Sequence, residues 1–383
     1  MGRTYSEKQK KKVDDMKKIL LIADYYHPDS SATTNLFRRT MEALAKLGYS
    51  VSVYPTELSG NHFSYPDEYN GVKIFQPEQS LDKILDKGNY DYVFSGAVNF
   101  RVNFLAHKAI KGRSCKWFPT SYDPYAFDPH ITAEQKEAYI QEEIDALKDA
   151  AKVFFLTEFK EDYIGSPIED KIEYFMLPCI RKFHPDTTKR VVELDENYIN
   201  CVFLGDFYLG IENTDFIFRM FEKIIEQNKK IRFYTVGNLG DYGDVVELWK
   251  KKLGEGYICH KRVSQEESYN VLFDCDVLVS MGHDSANMCP SKIIDFVSAG
   301  RPILHIGKIE NCCGKKYLAK YPDKYCIYQG DELTPERVNE MEQFIVNAKG
   351  REKMPFEKVK ELYSDFTMEA YIEKILKVFD EVK

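Results

Sequence analysis

From residue 17 the chain alternates short β-branched or aromatic runs with longer helical patterns, and nothing else in the sequence restricts its fold as much. Runs at 18–23, 50–54, 92–95, 116–119, 152–156 and 173–177 read as strands. Helical stretches lie between them, such as 33–47, which Gly48 closes and the strand S-V-S-V-Y follows at once. After Pro178 comes a polar stretch, 181–197, that contains Pro185 and few large apolar residues. The alternation then restarts with C-V-F-L-G at 201–205 and continues through strands at 231–236, 276–280 and 302–306. The chain therefore reads as two similar α/β domains joined by a hinge in the polar stretch. Residues 1–16, polar, rich in lysine and aperiodic, read as a flexible arm, 17–185 as the first domain and 186–365 as the second.

Composition removes several classes. At 383 residues the chain can build more than one core, and 44% apolar with 30% charged residues fits a soluble globular protein. Lys and Arg number 53 against 61 Asp and Glu, so a dedicated nucleic-acid surface, which must neutralise phosphates, is not expected. No run approaches the roughly 18–20 apolar residues of a membrane span. The apolar stretch 19–23 is too short for a signal-peptide core, so a cytoplasmic location is expected. The lysine-rich arm is a candidate peripheral membrane contact. The nine cysteines include no C-x-x-C pair, and Cys312 and Cys313 are adjacent, so they read as reduced thiols.

Open α/β sheets bind ligands beyond the carboxyl ends of their strands, so the loops there carry the functional reading. The first strand leads into D-Y-Y-H-P-D-S-S-A-T at 24–33, not into G-x-G-x-x-G, and Gly237, Gly240 and Gly243 have the wrong spacing for that fingerprint. With no G-x-x-x-x-G-K-[ST] either, a nicotinamide dehydrogenase and a P-loop enzyme are both disfavoured. The strongest local signal is the strand D-V-L-V-S at 276–280, a small polar loop, and then P-S-K-I-I-D-F-V-S-A-G-R-P at 290–302. On a helical wheel Ile293, Ile294, Phe296 and Val297 cover one side, while Ser291, Lys292, Asp295 and Ser298 gather on the other. A helix starting near Pro290 and ending at Gly300 aims backbone N–H groups, a lysine and a hydroxyl from a strand end, which suits a diphosphate. Asp295, one turn later, is positioned to accept from two sugar hydroxyls. The same pattern equally describes an amphipathic helix with a solvated face.

These residues resemble the glycosyltransferases of the GT-B type, two Rossmann-like domains facing each other across a cleft, and family 4 of bacterial surface-polysaccharide synthesis in particular. The family pattern P-S-K-[IL]-x-[ED]-[YF]-x-x-x-G-[KR]-P-[IVL] is matched throughout 290–303, and C-V-F-L-G-D-F-Y-L-G-I-E-N at 201–213 is similar to the loop that opens the donor domain. The resemblance runs in order from 17 to about 382 and implies that a last helix within 366–383 packs back on the first domain. It implies donor contacts from Gly205, Tyr208, Asn213, Gly237, Gly282, Asn287, Ser291, Lys292, Asp295 and Arg181. On the acceptor side it implies His27, Ser31 and Thr33, although the same residues also suit a cap for the helix that follows. Asp123, after the strand at 116–119, falls where the family places a residue near the reacting sugar carbon; an Asp-Pro turn is its other reading.

The sequence departs from the family in two places. Asn287 stands where an acid commonly precedes Asp295 by eight positions, and Asp206 and Glu212 occupy the loop that usually carries Arg and Lys. Lys292, Arg181 or Arg301 is then left to supply the positive charge. No histidine pair has zinc-like spacing, and the fold neutralises a leaving diphosphate with a helix dipole and basic residues, so neither metal nor cofactor is expected. The resemblance implies transfer of a sugar, with retention, from a UDP or GDP sugar to a saccharide, lipid-linked or protein-linked acceptor, with the inner face of the membrane as the alternative to a freely cytoplasmic location. A non-catalytic partner subunit and a sugar-nucleotide epimerase of the same fold are the alternatives. Homo- or hetero-oligomerisation stays open.

Overall fold

The computed structural model describes residues 16–28, 31–57, 64–96, 100–122, 132–206, 214–238, 243–282, 286–287 and 291–382. The chain divides into two compact units, Met1–Pro178 with Met368–Lys383, and Cys179–Thr367.

The first unit carries strands β1 (Lys18–Ala23), β2 (Ser50–Pro55), β3 (Glu68–Tyr69), β4 (Val72–Ile74), β5 (Tyr92–Gly96), β6 (Lys116–Ser121), β7 (Val153–Leu156) and β8 (Ile172–Phe175). They form one sheet in the order β3-β4-β2-β1-β5-β6-β7-β8, parallel except for β3 against β4. Helices α1 (Ala32–Lys46), α2 (Leu81–Gly88), α3 (Arg101–Ile110) and α4 (Ala133–Leu147) connect the strands. Residues 19–22 of β1 are fully buried, as a central parallel strand covered on both faces requires. On α1, Leu36, Phe37, Met41 and Leu44 turn inward, and Gly48, at φ +94°, ends the helix in a conformation that only glycine adopts without strain. The β3–β4 hairpin turns on Asn70 and Gly71, both at positive φ, the geometry that an Asn-Gly pair between two short apolar runs specifies.

The second unit holds β9 (Ile199–Leu204), β10 (Ile231–Val236), β11 (Tyr257–His260), β12 (Val277–Met281), β13 (Ile303–Gly307) and β14 (Lys324–Tyr328) in an all-parallel sheet ordered β11-β10-β9-β12-β13-β14. Its helices are α5 (Thr214–Gln227), α6 (Gly243–Leu253), α7 (Gln265–Asp274), α8 (Lys292–Ala299), α9 (Cys313–Tyr317), α10 (Pro335–Ala348) and α11 (Phe356–Leu362). Its core is aromatic: Phe221 stacks on Phe233 at 4.1 Å and Phe218 on Trp249 at 5.4 Å. Each such ring contributes about 1.5–3 kcal/mol by leaving water.

The last helix, α12 (Met368–Glu381), belongs to the first unit, where Phe379 stacks on Tyr92 at 4.0 Å between planes 9° apart. The segment 179–185, assigned above to the first domain, packs with the second unit instead. Ile180 bridges to Thr367, and Arg181 bonds Asp295. Those partners outweigh the sequence continuity of the segment with β8.

Candidate functional site

The strand order of the second unit reverses between β9 and β12, which opens a crevice at their carboxyl ends. β9 runs there into Gly205 and Asp206. Gly205 donates its N–H to the Val236 carbonyl at 2.9 Å, and a Cβ added to Gly237 would collide with the Gly205 carbonyl oxygen. Glycine at 237 is what lets the two loops approach each other. Asp206 laces the same region together: Oδ1 accepts from the Asn238 N–H at 2.7 Å and Oδ2 from Arg262 Nη2 at 2.9 Å. The acid that departs from the family pattern is thus matched by a cation from the loop after β11.

Helix α8 follows β12 and buries Ile293, Ile294, Phe296 and Val297, as its periodicity requires. Gly300, at φ +72°, closes it, and a side chain there would strike the Met354 backbone. Ser291 precedes the first turn without capping it through its side chain. Lys292 is exposed, and its Nζ lies 2.8 Å from where a Cβ on Gly205 would sit. The ammonium therefore crosses from α8 to the end of β9, beside the helix's positive end. Ser298, expected on the solvated face, is instead buried: its Oγ donates to the Ile294 carbonyl and accepts from the Arg181 N–H. The 179–183 segment lies over that face, which the periodicity of α8 alone does not reveal.

Arg181 Nη2 donates to both Asp295 oxygens, at 3.0 and 3.2 Å. Its guanidinium lies over Phe183 at 5.0 Å and Tyr269 at 5.3 Å, an aromatic setting that favours a cation. Burial pulls the Arg181 pKa down, Asp295 and Tyr269 pull it up, and the net shift is upward, so the group stays charged. Its Nε is buried and finds no hydrogen-bond partner among the described residues. The structure thus gives Asp295 a guanidinium partner.

Other expected residues divide in three ways. Gly282 packs against Cys312 and Gly307, and Asn287 is half-buried near the loop's end. Arg301 is spent elsewhere: its guanidinium donates to the Phe273 and Arg351 carbonyls, beyond the carboxyl end of α8 and away from its positive pole. Asp123, Tyr208 and Asn213, like Glu212, lie outside the described residues. In the first unit, Ser31 caps α1 by accepting from the Thr34 N–H at 3.1 Å, Thr33 sits half-buried in the first turn, and His27 stacks on Tyr69 at 3.6 Å. Burial, then Arg38, lower the His27 pKa.

Arg262 went unpredicted, and so did a buried polar row of Ser280, His305 and Cys312. His305 is fully buried, with Nδ1 3.2 Å from Ser280 Oγ and Nε2 3.1 Å from Cys312 Sγ. Burial pushes its pKa down to about 4, so the imidazole is neutral. A cavity of about 280 Å³ opens beside it, lined by Cys312, Lys315, Cys326, Tyr328 and Asp331 among others. Among the described residues, no group of three or more His, Cys, Asp and Glu side chains is arranged to hold a metal ion, and no helix is long and apolar enough to cross a membrane.

No family model matches the chain, and neither does any curated protein. Solved structures do match, and with the two parallel-sheet units they define its class: the fold is that of the GT-B glycosyltransferases. A glycosyltransferase from Rickettsia africae is 13% identical, with 96% of this chain and 99% of that one aligned at a TM-score of 0.62. HepE of Anabaena, in complex with UDP and glucose, is 11% identical over 95% of this chain and 99% of its own, at a TM-score of 0.61. The lipopolysaccharide outer core galactosyltransferase WaaB is 13% identical over 95% and 99%, at 0.60. At these identities the likeness is one of fold.

Proposed function

We propose that this protein is a glycosyltransferase that takes a sugar from a nucleotide diphosphate sugar and delivers it to a saccharide acceptor, with retention of configuration as in family 4. The observation that carries this reading is the Lys292 ammonium over Gly205, at the reversal of strand order and beside the positive end of α8. Transfer breaks the bond between the sugar's C1 and the diphosphate, which leaves with the bonding pair and so gains negative charge. A bond forms from C1 to the acceptor hydroxyl oxygen, whose proton passes to the departing diphosphate or to water. A fixed ammonium and a helix dipole favour that charge most when it is fully developed, in the transition state and after it. Asp295 would take the donor's hydroxyls and Arg181 would hold that carboxylate in place. The UDP held by HepE supports a nucleotide donor, and the name of WaaB supports a saccharide acceptor. His27, Ser31 and Thr33 of the first unit are the acceptor-side residues of this reading.

Thermal-shift and calorimetric titration with UDP, GDP, their sugars and the free nucleosides test it. Binding of one nucleoside diphosphate, retained in EDTA because lysine and helix dipole supply the positive charge, is the expected result. No binding of either diphosphate at millimolar concentration would refute the proposal.

A further inference from the structure

We propose that Arg262 is a second phosphate-binding cation of the donor site, held in readiness by Asp206, and that it takes over from the basic residues missing after β9. This rests on the nucleotide-sugar reading above and adds to it a residue from a different strand. Asp206 and Gly205 are consecutive, their Cα atoms about 3.8 Å apart. Lys292 reaches the first from α8, and Arg262 Nη2 stands 2.9 Å from the carboxylate of the second. Two cations from separate elements thus meet consecutive residues at the end of β9.

Asp206 explains the arrangement. Its side chain is only 15% exposed, and one oxygen is fixed by the Asn238 N–H, so the carboxylate is a rigid anchor rather than a mobile surface acid. Arg262 is 73% exposed, and the ion pair itself is therefore weak. Its effect is orientational: one N–H of a planar five-donor fork is spent on Asp206, and the others remain for charge-assisted bonds to phosphate oxygens. A diphosphate would otherwise meet an acid at the end of β9, and the pairing cancels that charge.

Titration of a nucleoside diphosphate and its nucleoside into wild type, Arg262→Met, Arg262→Lys and Lys292→Met tests the assignment. Arg262→Met should weaken the diphosphate about ten- to a hundredfold and leave the nucleoside unchanged, with an unaltered melting temperature as expected for an exposed side chain. Arg262→Lys, which keeps the charge without the fork, should fall between wild type and the methionine variant. Diphosphate affinity unchanged in Arg262→Met overturns the proposal, as do equal losses for both ligands, which would assign Arg262 to the base. A lysine variant as weak as methionine overturns it too. If wild type binds the diphosphate and only Lys292→Met loses it, Arg262 alone is misassigned. If wild type binds none, the nucleotide-sugar reading falls as well.

Discussion

Lys292→Met is the sharpest perturbation of the site, because it removes a charge and keeps most of a side chain that is exposed and outside the core. In wild type the ammonium stands at the end of β9, close enough that a methyl on Gly205 would meet it at 2.8 Å. It lies beside the positive end of α8, so on the proposed reading it and the helix would act on the same anion. A charge-assisted hydrogen bond of this kind is worth about 1.5–3 kcal/mol. The variant should therefore bind a nucleoside diphosphate about ten- to a hundredfold more weakly. The uncharged nucleoside makes no contact with the ammonium, so its affinity should hardly change. Ser291→Ala should cost less, since that side chain does not cap the helix. Calorimetric titration of both ligands into both proteins measures the difference. Equal losses would mean that α8 had been disturbed, and no loss for either ligand would refute the role of Lys292 and, with it, the argument from the reversal of strand order.

Gly237→Ala should destabilise the protein by about 1–3 kcal/mol in urea, since its Cβ meets backbone rather than a movable side chain; an unchanged midpoint would mean that the β9 and β10 loops do not approach so closely. Arg181→Met should lower stability by about 1–2 kcal/mol, the buried-pair cost discounted for a pair that is about one-quarter exposed, and should weaken donor sugar binding; Arg181→Lys should not restore it, because the fork to Asp295 is lost. His305 binds a proton less readily folded, at about 4, than its ordinary 6.5, so the unfolded chain takes up the extra proton and stability is lost as pH falls from about 6.5 to 4. The loss attributable to His305 is about 3 kcal/mol, and urea midpoints for wild type and His305→Asn should converge over that range; parallel pH profiles would refute the burial argument.

Much of the fold was legible because period and punctuation are local properties. The buried run of β1, the inward stripe of α1 and the glycine that ends it follow from neighbouring residues, as do the apolar side of α8 and its closure at Gly300. The β3–β4 hairpin was missed although Asn70-Gly71 announces it, because strands of two and three residues leave almost no alternation to read. Legibility stopped where partners are far apart in sequence. Arg181 and Asp295 are 114 residues apart, and Asp206 and Arg262 are 56 apart, and no motif links either pair.

What the sequence determined by itself was the class of architecture and the helix that Gly300 closes, since hydrophobic periodicity and end signals act within a few residues. Only the tertiary structure decided how the charges are matched. Chain folding carried Arg262 to Asp206 and Arg181 to Asp295, spent Arg301 on carbonyls at the far end of α8, and covered Ser298 with the 179–183 segment. An ion pair depends on distance in space, and parallel strands joined by helices bring together loops that the chain separates by dozens of residues. The electrostatics of the site therefore belong to the order of the strands rather than to the order of the residues.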